Sequence, residues 1–147
     1  MTSREDGTAD EDSGAPTDFD RLEVVAERLA TDDRFARVER QPEFAPDRVF
    51  CVYDDGFYPS SVDEVRLEIA WFENGDVSIH YHEDHEDGRF DHRWDRHPSD
   101  HNARDHVHPG PDAPTPGVDD SYPEDWRNVL AMGLGEIGER QRGFWTS

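Results

Sequence analysis

Residues 65–72, V-R-L-E-I-A-W-F, alternate apolar side chains with polar or small ones, and residues 77–82, V-S-I-H-Y-H, alternate again beyond Asn74-Gly75. Strand side chains point to opposite faces with a period of two, so this pattern calls for a half-buried antiparallel hairpin. Asn-Gly favours a two-residue type I′ turn, in which both central positions need positive φ. Such a turn sets a register with Glu73 opposite Asp76, Trp71 opposite Ser78, Ile69 opposite His80 and Leu67 opposite His82. His80 and His82 then share one sheet face, and Val77, Ile79 and Tyr81 share the other.

Other elements assemble around this hairpin. Leu22, Val25 and Leu29 recur at helical spacing after Thr17 or Asp18 as a cap. That helix runs toward Arg40 through Phe35 and Val38 unless Thr31-Asp32-Asp33 interrupts it. Residues 49–54 read as a strand, and residues 89–95 as a further strand with Phe90, His92 and Trp94 on one face and Asp91, Arg93 and Asp95 on the other. Residues 98–118, rich in Pro, Asp, Gly and His, form a long loop with room for a short strand at His106 to His108. Ser121-Tyr-Pro-Glu124 fits a capping box for a last helix carrying Trp126, Leu130, Leu134 and Ile137. The expected fold is α+β: an antiparallel meander of three to four strands packed against an N-terminal and a C-terminal helix. It forms a single domain, residues 18–147, after a disordered acidic tail at 1–17.

The chain carries 36 acidic and 15 basic residues, for a formal net charge of -21. Every basic residue is arginine. Surplus carboxylate without lysine resembles the style of an extreme halophile, where the Debye length falls to about 3 Å at molar salt and surface repulsion is largely screened. The acidity argues against nonspecific nucleic-acid binding through a broad basic patch, although Arg89, Arg93, Arg96 and Arg104 leave room for a local positive pocket. Cys51 is the lone cysteine, so no internal disulfide forms, and its apolar surroundings mark a core residue. No apolar run approaches 18 residues and the first residues lack a signal-peptide core, which gives the expectation of a cytoplasmic protein without a membrane segment.

All eight histidines fall between His80 and His108. Imidazole titrates near neutral pH and also ligates metals, so two kinds of chemistry stay open. The first is acid–base cleavage of RNA, in which the 2′-hydroxyl attacks its own phosphate. His106 and His108 serve as acid and base, supported by His97, Arg93 and Asp95. The second is a zinc or nickel site using His80, His82, His106 and His108, with Asp91 or Asp95 as an oxygen donor. A non-enzymatic role remains beside them, with an Arg–Asp–His network serving structure or partner binding. No phosphate-binding glycine loop, dinucleotide fingerprint or nucleophile elbow is present.

Residues 66–82, then F-D-H-R-W-D-R-H-P at 90–98, then H-V-H-P at 106–109, resemble the TumE-like toxins of prokaryotic toxin–antitoxin modules. The resemblance covers residues 49–110 and places the family's Arg-aromatic-Asp segment on Arg93-Trp94-Asp95, its nearby histidine on His97, and its late His-x-His on His106 and His108. It implies a compact toxin-like protein acting on RNA, plausible as a metal-independent ribonuclease without a bound cofactor, and neutralised by a helix-turn-helix antitoxin.

Overall fold

The computed structural model describes residues 14–146. In chain order the elements are α1 (Phe19–Ala30), β1 (Phe35–Gln41), β2 (Arg48–Tyr53), a 3-10 turn (Asp55–Phe57), β3 (Val62–Trp71), β4 (Val77–His85), β5 (Gly88–Arg96), β6 (Asp105–His108), β7 (Val118–Asp119) and α2 (Trp126–Gly143). The class is α+β, with a helix near each end of the chain. The sheet, however, has seven antiparallel strands in sequence order, not three or four. The acidic tail assigned to residues 1–17 falls mainly on residues 1–13, which lie outside the described residues. Glu73 N–H donates to the Pro16 carbonyl at 2.9 Å, so residue 16 already pairs with the core hairpin.

The extra strands come from two segments whose local signals misled. Phe35 and Val38 have helical spacing from α1, yet α1 stops at Ala30 and both lie in β1. Asp32 accounts for the break: its carboxylate accepts from the Arg34 N–H at 3.0 Å and from the Arg34 guanidinium, a local bond that competes with helix continuation. The loop at 98–118 contributes β6 and β7, which extend the sheet past β5. The last helix starts later than Ser121: its cap is Asp125, which accepts from the Arg127 N–H at 2.9 Å.

The β3–β4 turn is one residue longer than the Asn-Gly pair suggests. Phe72 N–H donates to the Asp76 carbonyl and Gly75 N–H to the Phe72 carbonyl, both at 2.9 Å, and among these residues only Gly75 has positive φ, at 89°. The loop is therefore Glu73-Asn74-Gly75, a tight turn closed by a glycine in the left-handed region. The register shifts by one residue: Trp71 pairs with Val77, Ile69 with Ile79, Leu67 with Tyr81, Glu68 with His80 and Arg66 with His82. A one-residue slip exchanges faces, so the histidines sit opposite charged residues instead of opposite Ile69 and Leu67.

The shift separates the sheet into two chemically distinct faces. Leu67, Ile69, Trp71, Val77, Ile79, Tyr81 and Trp94 are buried on the helix face with Leu22, Val25, Ala26 and Leu29 of α1 and Val129, Leu130, Leu134 and Ile137 of α2. Fully burying such aliphatic side chains is worth about 1.5–3 kcal/mol each before entropy is counted. Cys51 lies in this core. The opposite face carries rows of polar residues in register: Glu68, His80, Arg93 and His108 run across β3 to β6, and Ser78, Asp95, His106 and Asp119 across β4 to β7. No helix among the described residues is long and apolar enough to cross a membrane.

Candidate metal centre

Asp95 on β5 and His106 on β6 are paired in register, and Arg93 and His108 are the next pair on the same face. His97 follows two positions after Asp95 and is held by its N–H bond to the Arg104 carbonyl at 3.0 Å. Alternation along β5 and pairing with β6 thus bring three imidazoles and one carboxylate to a single point. The Nε2 atoms of His108, His97 and His106 lie 3.3, 3.5 and 3.9 Å from Asp95 Oδ2. Asp95, His106 and His108 are 0% exposed and His97 is 1% exposed.

The far side of each ring is fixed by backbone. Nδ1 of His97 donates to the Pro98 carbonyl at 2.8 Å, that of His106 to Ala103 at 2.9 Å, and that of His108 to Pro114 at 2.7 Å. Carbonyls only accept, so a neutral ring here carries its proton on Nδ1 and turns its Nε2 lone pair to Asp95, while a ring that hydrogen-bonds Asp95 does so as imidazolium. The loops that supply these carbonyls are clasped by Asn102, whose amide bonds Gly117 in both directions at 2.9 Å. Gly117 is required by close approach: a Cβ there would lie 2.3 Å from the Val107 carbonyl oxygen.

Three lone pairs converging on a carboxylate repel one another unless a proton or cation lies among them. Arg93 supplies part of the positive charge, its Nε donating to Asp95 Oδ2 at 2.9 Å. Burial works to raise the Asp95 pKa, but hydrogen bonding from His108 and the Arg93 charge win, leaving it below the usual carboxylate range. Burial also works to lower His108, yet its bonds to Asp95 and to the Pro114 carbonyl win and raise it. Ligand atoms of Asp95, His106 and His108 all lie within 4.8 Å of one another, a separation suited to one metal ion. Bonds of about 2.0–2.1 Å in a tetrahedron put donors roughly 3.3 Å apart, close to the observed 3.3–3.9 Å spread.

All five residues expected in acid–base chemistry, His106, His108, His97, Arg93 and Asp95, therefore meet at one place, but as a buried group. The expected metal quartet does not. His80 Nε2 and His82 Nδ1 contact Asp91 Oδ1 at 2.9 and 2.7 Å, and His82 Nε2 contacts Asp84 at 2.8 Å. Asp95 and His97 stand where His80 and His82 were expected. Part of the signal was in the sequence, which put Arg93 and Asp95 on one face; His97 lies beyond both the expected strand and β5. The partner strand and its register could not be read there. Arg89, Arg96 and Arg104, which the sequence left open as a local positive pocket, pair instead with Asp91, Asp105 and Asp76.

A comparison with known families matches residues 20–141 to the model described as Toxin TumE. The chain belongs to the TumE toxin family. The match extends well beyond the 49–110 segment that carried the resemblance, taking in most of both helices and all seven strands described. Neither the comparison with curated proteins nor that with solved structures gives a match.

Proposed function

We propose that this TumE-family protein is a divalent-metal-binding toxin component, with Asp95, His106 and His108 as the ligands and His97 beside them. The observation that carries the reading is the convergence of three Nε2 atoms on Asp95 Oδ2, each ring anchored through Nδ1 to a backbone carbonyl. Metal-ligating histidines characteristically donate their second nitrogen in this way, which fixes tautomer and orientation. A nitrogen-rich set with one carboxylate suits zinc or nickel. The three donors are buried, so the ion would tie β5 to β6 and hold the loops at 98–118 against them. Arg93 beside Asp95 neutralises the carboxylate from outside the ligand shell.

Membership of a toxin family is consistent with an antitoxin partner and an RNA-related target, and the proposed partner is a helix-turn-helix antitoxin. Elemental analysis after dialysis tests the metal reading. Near-stoichiometric zinc or nickel is expected in the wild type and less than a tenth of that in a His106→Ala/His108→Ala variant, an order-of-magnitude loss typical of removing ligands. Metal-free wild-type protein after growth in zinc-supplemented medium, together with no uptake on titration, would reject it.

A second reading is metal-independent RNA cleavage by histidine acid–base chemistry, and one observation favours it. Arg93 reaches from Asp95 to an open cleft of about 300 Å³ that Ser78, His80 and Arg48 also line. A phosphate there would lie against Arg93, with His108 behind it. Cleavage of a mixed RNA pool in molar KCl that resists EDTA and vanishes in the double variant would establish this reading. Cleavage abolished by EDTA and restored by zinc would establish the first.

A further inference from the structure

The open cleft on the polar face of the sheet holds an imidazole that the buried centre does not use. It is lined by Arg48, Ser78, His80 and Arg93, with Asp47 and Glu68 among others. His80 stands in register between Glu68 of β3 and Arg93 of β5, so these three side chains are cross-strand neighbours on one face. Acid–base chemistry needs a ring that the substrate can reach. The side chains of His97, His106 and His108 are at most 2% exposed, and that of His80 is 36% exposed.

Asp91 fixes the direction of that ring. Its Oδ1 accepts from His80 Nε2 at 2.9 Å and from His82 Nδ1 at 2.7 Å, and Arg89 Nε lies 3.1 Å from its other oxygen. His82 is pinned in turn, with Nε2 2.8 Å from Asp84 Oδ1. Burial works to raise the Asp91 pKa, but the bonds from His82 and His80 win and hold it below the usual carboxylate range. An ionised carboxylate only accepts, so His80 donates its Nε2–H and the neutral ring turns the Nδ1 lone pair away from Asp91. Among the described residues nothing bonds that Nδ1, which leaves it to the cleft. An imidazole oriented by a carboxylate through one nitrogen, with the other open, is the arrangement that activates a hydroxyl nucleophile.

The groups beside it suit a phosphate. Arg93 is held through Nε by Asp95 at 2.9 Å, which keeps its guanidinium in the row next to His80. Arg48 makes long, half-exposed pairs with Asp47 and Glu68, both at 3.3 Å. Such pairs contribute little, so this guanidinium can turn to an incoming anion. We propose that His80, oriented by Asp91, is the general base of the metal-independent cleavage described above, with the RNA phosphate against Arg93 and Arg48. The inference rests on that reading and names the ring that touches substrate. His106 and His108 then act through Asp95 and Arg93, as positioning residues. In the step, the 2′-hydroxyl proton passes to His80 Nδ1 while the 2′-oxygen bonds to phosphorus and the bond from phosphorus to the 5′-oxygen breaks. A water in the cleft protonates the departing oxygen, and the imidazolium neutralises the hydroxide left behind. The products are a 2′,3′-cyclic phosphate and a 5′-hydroxyl.

The test is cleavage of a mixed RNA pool by the full chain in molar KCl with EDTA present, scored for cyclic-phosphate ends. His80 is partly exposed, so His80→Ala should fold as the wild type does and keep its metal content. It should cleave about a hundredfold more slowly or worse, the usual contribution of a general base. Added imidazole should restore cleavage by His80→Ala and not by the His106→Ala/His108→Ala variant, in which the positioning of Arg93 is lost. Asp91→Asn keeps the shape and removes the charge that orients the ring, and should lower kcat while KM holds; an unchanged kcat would overturn the role of Asp91. Wild-type cleavage that persists undiminished in His80→Ala, or a loss that imidazole does not restore, would overturn the assignment of His80 alone. No cleavage by folded wild type would overturn both the assignment and the reading on which it rests.

Discussion

If the proposed ion binds at Asp95, removing it should cost this protein a measurable share of its thermal stability, of a size that linkage sets. The ligand atoms of Asp95, His106 and His108 lie within 4.8 Å of one another, with His97 Nε2 3.5 Å from Asp95 Oδ2, so one ion can draw them together with modest rearrangement. They come from β5, β6 and the turn between them, which are assembled only in the folded chain. Binding free energy therefore appears as folding free energy. Free metal at a thousandfold excess over its dissociation constant stabilises by about 4.1 kcal/mol. For a chain of this size each kcal/mol moves the midpoint by about 2–4 °C, so the expected gain is roughly 8–16 °C. The assay is thermal unfolding by circular dichroism in molar KCl, comparing EDTA-treated protein with the same protein after zinc is restored. His106→Gln, which keeps a polar group near the Ala103 carbonyl but removes Nε2, should melt at one temperature in both conditions. Coincident wild-type curves, within about 2 °C, would refute the reasoning, because that is the shift from less than 1 kcal/mol of coupling.

Other outcomes follow from groups outside the metal centre. Glu83 is fully buried and accepts from Arg140 at 2.6 Å, Tyr81 at 2.5 Å and His85 at 2.6 Å, so Glu83→Ala should destabilise by about 3 kcal/mol. That is the lower end of the range for a broken buried pair, because Arg140 is 32% exposed and water screens the charge left behind. Burial works to raise Glu83, but those three partners win and lower it, so its contribution is present above the unfolded value of about 4.3 and lost as pH falls through the folded one. The gap in urea midpoint between wild type and Glu83→Gln should accordingly shrink on going from neutral to strongly acidic pH; a constant gap would show that Glu83 is not held ionised by the fold. Gly117→Ala should cost about 1–3 kcal/mol and weaken zinc uptake as well, since its Cβ would press on the Val107 carbonyl and lie 3.1 Å from His108 Nδ1. Zinc titration that matches wild type would separate the loop from the centre.

Much of the fold was legible along the chain. The period-two patterns of β3, β4 and β5, the Leu22–Val25–Leu29 stripe of α1 and the apolar face of α2 were all readable, as was the α+β class. The strand count was not, because β1 borrows helical spacing from the end of α1, and β6 and β7 are too short for a period to show. The hairpin register failed for a related reason. Asn74-Gly75 marks a turn, but whether two or three residues span it depends on how Trp71 and Val77 meet in the core under α1 and α2.

The site divides along the same line. Sequence alone gathered all eight histidines between His80 and His108 and put Asp91, Arg93 and Asp95 on one side of their strand, since side-chain direction along a strand is a local property. It also carried enough family pattern to point to the TumE toxins. Tertiary structure decided which histidines meet. Pairing of β5 with β6 put His106 and His108 on Asp95, while pairing of β4 with β5 gave His80 and His82 to Asp91. Cross-strand neighbours are set by register and backbone hydrogen bonding between segments far apart in the chain, and no spacing within one segment encodes that distance.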